Sequence, residues 1–129
     1  MTIQRVNHVQ LNCTDVERSR AFYEKAFDGR VLCDIMTKDG SAKKGYLMQI
    51  APGSVLELQP PRFPLTGKYS AWNTIAIETD DIESAIEQIV QAGGVREIGP
   101  LEGAMGTVPI RNAVMIGPEQ EHIELIELV

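Results

Sequence analysis

The strongest constraint on the fold is an internal repeat with a spacing of 66 to 67 residues. Asp15 and Asp81, each followed two positions later by a glutamate, lie 66 residues apart. The Leu-Glu-Leu triplet around Glu57 returns 67 residues later as the Ile-Glu-Leu triplet around Glu124. Self-similarity at a fixed spacing indicates that one supersecondary unit occurs twice. The chain is therefore expected to fold into two similar modules that bury their apolar faces together.

Within each repeat, the pattern predicts a strand, a helix and three further strands. Thr14 and Glu17 have the spacing of a capping box, which predicts a helix that starts near Asp15. Asp80 is expected to cap a second helix, because Glu83 follows three positions later and apolar residues then recur at helical spacing. The predicted strands span residues 4–13, 31–36, 45–50 and 54–59 in the first module and 72–79, 95–98, 108–116 and 122–128 in the second.

These elements predict an α+β fold in a chain of 129 residues, which is long enough to bury a core of its own. Two βαβββ modules, at about residues 4–60 and 70–129, are expected to form a curved sheet that lines a cleft. The polar connections over residues 37–44 and 100–108 are expected to shape the mouth of that cleft.

Charge and cysteine content narrow the classes of partner and location. The formal net charge is −6, so neither nucleic acid nor an anionic membrane is expected as a partner, since both favour a basic surface. No apolar run in the sequence approaches the ~20 residues that span a bilayer. Cys13 and Cys33 form neither a metal knuckle nor a disulfide framework, which favours the reducing cytoplasm. Cys13 is expected in the core.

Three side chains are candidates for chemistry because the repeat places them at related positions. His8 lies on one face of the first predicted strand, and Glu57 and Glu124 each interrupt an apolar strand. Since side chains alternate between the faces of a strand, both glutamates point away from their apolar neighbours and toward the expected cleft. Carboxylates are seldom buried unless they are paired or bound to a metal. Two plainer interpretations stay open, namely glutamates on a solvated strand face and a structural histidine.

Four segments give the sequence a family resemblance. They are, in order, NHVQLNCTDVERSRAFYEKAF, VLELQP, TIAIETDDIESAIEQIVQAGG and IRNAVMIGPEQEHIELIEL. In these segments the sequence resembles the vicinal oxygen chelate superfamily, which includes glyoxalase I, methylmalonyl-CoA epimerase, extradiol dioxygenases and bleomycin-resistance proteins. The resemblance implies a single domain over residues 4–129, built from paired βαβββ modules.

The resemblance also implies a divalent metal ion in the cleft, with one ligand from each of four strands. The ligand positions fall on His8, Glu57, Thr74 and Glu124, so a threonine stands where the family usually has a histidine. Threonine is a poor ligand for Zn or Ni. The implied metal site is therefore His8, Glu57 and Glu124, holding Ni, Co, Mn, Mg or Zn. His122, two residues before Glu124, is a further candidate ligand.

Two functions follow from the resemblance and from these residues. The first is a glyoxalase-like, metal-dependent lyase or isomerase that acts by proton transfer on a small carbonyl compound, with Glu57 and Glu124 as catalytic residues. The alternative is a metal-free small-molecule binding protein of the bleomycin-resistance type, which the loss of the histidine at Thr74 favours. Aromatic residues would line its cleft, namely Tyr46, Phe63, Tyr69 and Trp72. The resemblance further implies a homodimer, with each cleft closed within one chain or formed by modules exchanged between chains.

Overall fold

The computed structural model describes residues 1–2, 4–61, 74–105 and 107–129, and this part of the chain forms two helices and eight strands. The elements are β1 (Val9–Asn12), α1 (Val16–Phe27), β2 (Arg30–Met36), β3 (Lys43–Ala51), β4 (Ser54–Gln59), β5 (Thr74–Glu78), α2 (Ile82–Gln91), β6 (Val95–Met105), β7 (Val108–Ile116) and β8 (His122–Leu128). The order βαβββ occurs twice, so the predicted α+β fold of two modules is confirmed.

The strands form two four-stranded sheets, one in each module. The strand order is β1-β4-β3-β2 in the first sheet and β5-β8-β7-β6 in the second. β1 runs parallel to β4 and β5 runs parallel to β8, whereas the other neighbours are antiparallel. Glu57 lies opposite Gln10, and Glu124 lies opposite Ala76. The two glutamates of the repeat therefore occupy equivalent places, on the second strand of each sheet.

Each sheet buries one face against a helix, and the two modules share a hydrophobic core. Alternating apolar side chains of the strands supply most of this core, and burying each large one contributes about 1.5–3 kcal/mol. Cys13 is buried among them, as predicted. Neither helix in the described part of the chain is long and apolar enough to span a membrane. Core residues come from both modules, among them Leu11, Leu56, Ile89, Ile123 and Leu125.

Two aspartates at equivalent positions of the repeat start the helices. The carboxylates of Asp15 and Asp81 each accept a hydrogen bond of 3.0 Å from the backbone N–H three residues later. The predicted start of α1 near Asp15 is confirmed, whereas the predicted cap at Asp80 is wrong. The backbone N–H of Thr79 still bonds to the carbonyl of Ile126 at 2.8 Å, so the chain leaves the sheet too late for Asp80 to begin the helix.

Strand boundaries differ from the prediction at three places. β1 starts at Val9 and not at residue 4: residues 4–6 would lie opposite the turn between β3 and β4, and the pairing with β4 begins only at Val9, so His8 precedes the strand. β3 begins at Lys43, inside the predicted polar turn. β6 continues to Met105, so residues 101–105 belong to a strand and not to a loop at the mouth of the cleft. Two register shifts around Ile98 carry the β6–β7 ladder past Gly99 and Pro100 and into the segment predicted as a loop.

Carboxylates from the turn between β7 and β8 join the two modules. Glu119 accepts hydrogen bonds from the backbone N–H groups of Thr14 at 2.9 Å and of Asp15 at 3.0 Å, where α1 begins. A helix N-terminus stabilises a carboxylate in this position. Glu121, which is 1% exposed, accepts a hydrogen bond from the Tyr23 hydroxyl at 3.1 Å. Burial raises the pKa of the Glu121 carboxyl. We call these five residues the module junction.

Candidate functional site

His8 and Glu57 meet on the open face of the first sheet, opposite the core. The Nε2 atom of His8 lies 2.6 Å from Oε2 of Glu57, whose side chain is 15% exposed. On the other side of the ring, Nδ1 of His8 lies 2.9 Å from Oδ1 of Asn7. An imidazole nitrogen and a carboxylate oxygen at this distance share a proton or bind a common metal ion, and the tautomer of the ring determines which of its nitrogens donates.

A row of amide side chains extends the His8–Glu57 pair along the open face. Gln59, which is 3% exposed, donates through Nε2 to Oε1 of Glu57 and, at 3.4 Å, to Oε1 of Gln10. Nε2 of Gln10 in turn donates to Oδ1 of Asn12 at 2.9 Å. These bonds hold one oxygen of Glu57 and leave the other directed at His8. The strand alternation that places Glu57 on this face places the amides there as well.

Glu124 lies on the open face of the second sheet. Its Oε1 atom accepts a hydrogen bond from Nδ2 of Asn112 at 3.2 Å. Glu124 also lines a cavity of about 330 Å³ together with Ala76, Met105 and Ile110. The carboxylate therefore has an oriented oxygen and an adjoining space for a small molecule.

Thr74 and His122 lie opposite each other where β5 and β8 begin. The Nε2 atom of His122 is 3.4 Å from Oε2 of Glu97, and the His122 side chain is 41% exposed. The histidine is thus directed toward a carboxylate of β6. Its role as a further metal ligand stays a prediction.

A single chain brings together two of the three predicted metal ligands. His8 and Glu57 aim an imidazole nitrogen and a carboxylate oxygen at the same point, which fits part of a divalent metal site. Glu124 lines a different cavity, and the residues lining that cavity include neither His8 nor Glu57. Within the described ranges, no group of three or more His, Cys, Asp or Glu side chains is arranged to hold a metal ion.

The aromatic cleft expected for a binding protein is not formed by Tyr46. This residue is buried in the core, and its hydroxyl donates a hydrogen bond to Glu17. The cleft positions predicted at Phe63, Tyr69 and Trp72 lie outside the described residues.

Sequence reasoning missed two residues of the site. Strict strand alternation places Asn7 on the core face, but β1 starts only at Val9, so alternation does not govern Asn7. Asn112 donates to Glu124 from the adjacent strand, two residues along from the directly opposite position at Val114. An amide directly before the histidine is a signal for Asn7, whereas the contact of Asn112 depends on strand register.

Solved structures share this fold over nearly the whole chain. TnmS3, an antibiotic binding protein from Streptomyces sp. CB03234, is similar with a TM-score of 0.74 at 19% identity, covering 100% of this chain and 99% of that chain. A virulence protein from Salmonella typhimurium gives 0.73 at 20% identity, with 100% of both chains covered. A glyoxalase I mutant from Zea mays gives 0.70 at 25% identity, and 93% of this chain matches 45% of that chain. No curated protein sequence matches significantly.

Sequence comparison assigns the family. The family model of the Glyoxalase/Bleomycin resistance protein/Dioxygenase superfamily matches residues 5–110. The chain therefore belongs to this superfamily, and the predicted resemblance is confirmed. The matched segment includes His8 and Glu57 and ends before Glu124.

Proposed function

We propose that the protein is a glyoxalase-like, metal-dependent lyase or isomerase that acts by proton transfer on a small carbonyl compound. The observation that carries the proposal is the contact between Nε2 of His8 and Oε2 of Glu57 at 2.6 Å. Imidazole and carboxylate together suit Ni, Co, Mn or Zn, and the carboxylate suits Mg. The proposal treats residues 4–129 as one domain.

His8 and Glu57 would hold the metal ion, with Glu124 as the third ligand. A bound divalent ion would polarise the carbonyl oxygen of the substrate and so stabilise the negative charge that develops when a neighbouring proton leaves. Asn7 contacts Nδ1 of His8, so Nε2, the nitrogen beside Glu57, is the proposed ligating nitrogen. Gln59 holds Oε1 of Glu57, so that Oε2 remains directed at His8.

Two carboxylates are available for the proton steps. One of Glu57 and Glu124 removes a proton from the carbon next to the carbonyl, and the other returns a proton to the substrate. Return to the neighbouring carbon gives isomerisation, and return to the opposite face gives epimerisation. The hydrogen bond from Asn112 orients the Glu124 carboxylate for this transfer.

We propose that a homodimer completes the site. Within the described part of one chain, Glu124 does not join the His8–Glu57 pair, which supports a third ligand supplied by a second chain. Modules exchanged between two chains would bring Glu124 of the partner subunit to the His8–Glu57 pair. The proposed location is the cytoplasm, since Cys13 and Cys33 are both free thiols. The proposed partners are small molecules and a second copy of the chain.

A specific observation favours a second candidate function, that of a metal-free small-molecule binding protein. Thr74 replaces the usual third ligand, and the described part of one chain gathers only two of the three that remain. The structural similarity to an antibiotic binding protein supports this alternative at the level of fold. The cavity beside Glu124 would then hold a ligand without turning it over.

Metal content decides between the two functions. Elemental mass spectrometry after dialysis against Ni, Co, Mn, Mg or Zn gives metal per chain for wild type, His8→Ala and the control Lys25→Ala, which changes an exposed residue of α1 outside the site. We expect a near-stoichiometric metal in wild type and in the control, and its loss in His8→Ala. Wild type without metal under every condition supports the binding protein, and metal retained by His8→Ala refutes the assigned site. Sedimentation of the same samples tests the dimer, which a monomer at all concentrations would contradict.

A second assay tests the proton step without knowledge of the natural substrate. Exchange of the C–H protons of hydroxyacetone into D2O is followed by NMR for wild type and Glu124→Gln. General acid–base catalysis typically contributes about 10²–10⁴-fold, so we expect exchange to fall by at least about 100-fold in the variant. Unchanged exchange in Glu124→Gln contradicts the role assigned to Glu124.

A further inference from the structure

A cavity of about 220 Å³ lies between the two modules, beside His8. Its lining comes from residues 6–9 and 53–56 and from Ile50 in the first module, and from residues 75–77 in the second. We call this space the seam cavity. It lies where the first strands of the two modules, β1 and β5, approach each other.

The lining of the seam cavity excludes both proposed catalytic glutamates, although Val55 and Ala76 of that lining share strand faces with Glu57 and Glu124. Leu56 and Ile50 line it, and both are core residues that alternate with Glu57 and its neighbours along their strands. Neither Glu57 nor Glu124 belongs to its lining. The cavity therefore opens beside His8, takes residues from both faces of β4 and reaches the core residues Ile50 and Leu56.

Most of its described lining residues are apolar. Among the described side chains around it only His8 can carry a charge, and Asn7 and Ser54 add polar groups. Two valines of the lining face water, with Val6 77% and Val9 40% exposed. His8 is already paired with Glu57, so a charged ligand would lose its hydration here without a free counter-charge, whereas an apolar ligand would cover exposed apolar surface. The chemistry of the lining thus favours an uncharged ligand with a single hydrogen-bonding group.

The volume limits the size of that ligand. An apolar cavity of about 150 Å³ is large enough to bind benzene, so the seam cavity accommodates roughly 6–10 non-hydrogen atoms. One aromatic ring with a short substituent or a short aliphatic chain fits this range.

We propose that the seam cavity is a binding site for a small, uncharged, mainly apolar molecule whose one polar group lies next to His8. Such a ligand would contact Val9 and Val55 of the first module and Ile75 and Ile77 of the second, and would bridge the modules. This site does not require a metal ion, so it stands apart from the proposed enzymatic function.

Ligand-observed NMR on metal-free full-length protein tests the proposal with two sets of probes. The first is the series of straight-chain 1-alkanols from propanol to octanol. Burial of each methylene predicts affinity that rises about fourfold per added carbon until the cavity is full, and then levels off. The second set is the pair benzyl alcohol and benzoate, for which we expect at least about tenfold weaker binding of the charged compound. Affinity independent of chain length, or equal binding of the pair, overturns the proposal.

Two variants locate the site. In Val55→Phe a larger side chain fills only the seam cavity, and in Ala76→Leu a larger side chain fills it from the exposed side of β5. Each variant is expected to weaken the binding of benzyl alcohol at least tenfold. Ala51→Leu, at the exposed end of β3 and outside the lining, is the matched control and should bind like wild type. Binding that survives both cavity variants refutes the location. Binding lost as the protein associates at high concentration would show instead that a second copy covers the seam.

The alkanol-binding experiment and the metal-content experiment test separate claims. Metal bound at His8 without any alkanol binding refutes the seam site and leaves the proposed enzyme intact. Alkanol binding in a protein that takes up no metal supports the seam site and contradicts the metal-dependent function.

Discussion

Replacing Tyr23 with phenylalanine removes one hydroxyl group from the module junction and leaves the ring in place. That hydroxyl donates to Oε2 of Glu121 at 3.1 Å, and both residues are 1% exposed. Water cannot replace the lost donor without opening the contact between the modules. The variant therefore measures how much this single hydrogen bond contributes to holding the two modules together.

The magnitude follows from the charge of Glu121. A hydrogen bond to a charged group contributes about 1.5–3 kcal/mol and one between neutral groups about 0.5–1.5 kcal/mol. Burial raises the pKa of Glu121 in the folded protein above the value of about 4.3 expected in the unfolded chain. More of the carboxyl is protonated at pH 4.5 than at pH 8. We therefore expect Tyr23→Phe to lower the free energy of unfolding by about 2 kcal/mol at pH 8 and by about 1 kcal/mol at pH 4.5.

The sign of the wild-type pH dependence follows from the same group. Because the folded pKa of Glu121 is raised, its stabilising contribution is fully present below the unfolded pKa and is lost as pH rises through the folded pKa. Each unit of that shift corresponds to about 1.4 kcal/mol. Burial raises the pKa of Cys13 to about 12 and that of Tyr23 well above its usual value, so neither titrates between pH 4.5 and pH 8. The Glu119 carboxylate also faces this cluster.

Urea unfolding at the two pH values provides the measurement. Tyr46→Phe is the matched control, because the Tyr46 hydroxyl bonds to Glu17, whose side chain is 60% exposed. In this variant water can hydrogen-bond to the exposed Glu17 carboxylate in place of the lost hydroxyl. Tyr46→Phe should therefore change the free energy of unfolding by less than about 0.5 kcal/mol. Equal losses in the two variants, or a loss from Tyr23→Phe that is larger at pH 4.5 than at pH 8, would refute the reasoning.

Two further predictions concern local structure and are read from urea unfolding at neutral pH. Asp15→Ala and Asp81→Ala each remove the acceptor for a backbone N–H and should each lower stability by about 1 kcal/mol, whereas Asp80→Ala should change it by less than about 0.5 kcal/mol. A larger effect at Asp80 than at Asp81 would reverse the assigned cap. Gly117→Ala places a Cβ atom against the buried carboxylate of Glu121 and should lower stability by about 1–3 kcal/mol. An unchanged stability of Gly117→Ala would mean that the turn shifts to accommodate the added Cβ atom without cost.

Features that depend on neighbours along the chain could be predicted from the sequence. The equal spacing of Asp15 and Asp81 predicted the two modules, and the alternation around Glu57 and Glu124 predicted that both glutamates lie on the strand face opposite their buried apolar neighbours. The error at Asp80 has a local cause as well, since two adjacent aspartates offer the same cap and the strand pairing of Thr79 selects the later one.

Features that depend on how the modules pack could not be predicted. The segment around Glu119 and Glu121 looks like an ordinary polar turn, and no local pattern indicates that Glu121 is buried against Tyr23. The repeat also predicted that Glu124 and His8 share one site, which is the arrangement expected if the two modules pack symmetrically against each other. Repeat spacing determines where a residue lies within its own module, but it carries no information on the distance between modules.

The two module contacts related by the repeat are used in different ways. The turn between β7 and β8 is bonded through Glu119 to the start of α1. The corresponding turn between β3 and β4 contributes Gly53 to the seam cavity, and Ser54 at the start of β4 lines it as well. Substitutions at these two positions would change the shape of the seam cavity and leave the hydrogen bonds of Glu119 to α1 in place.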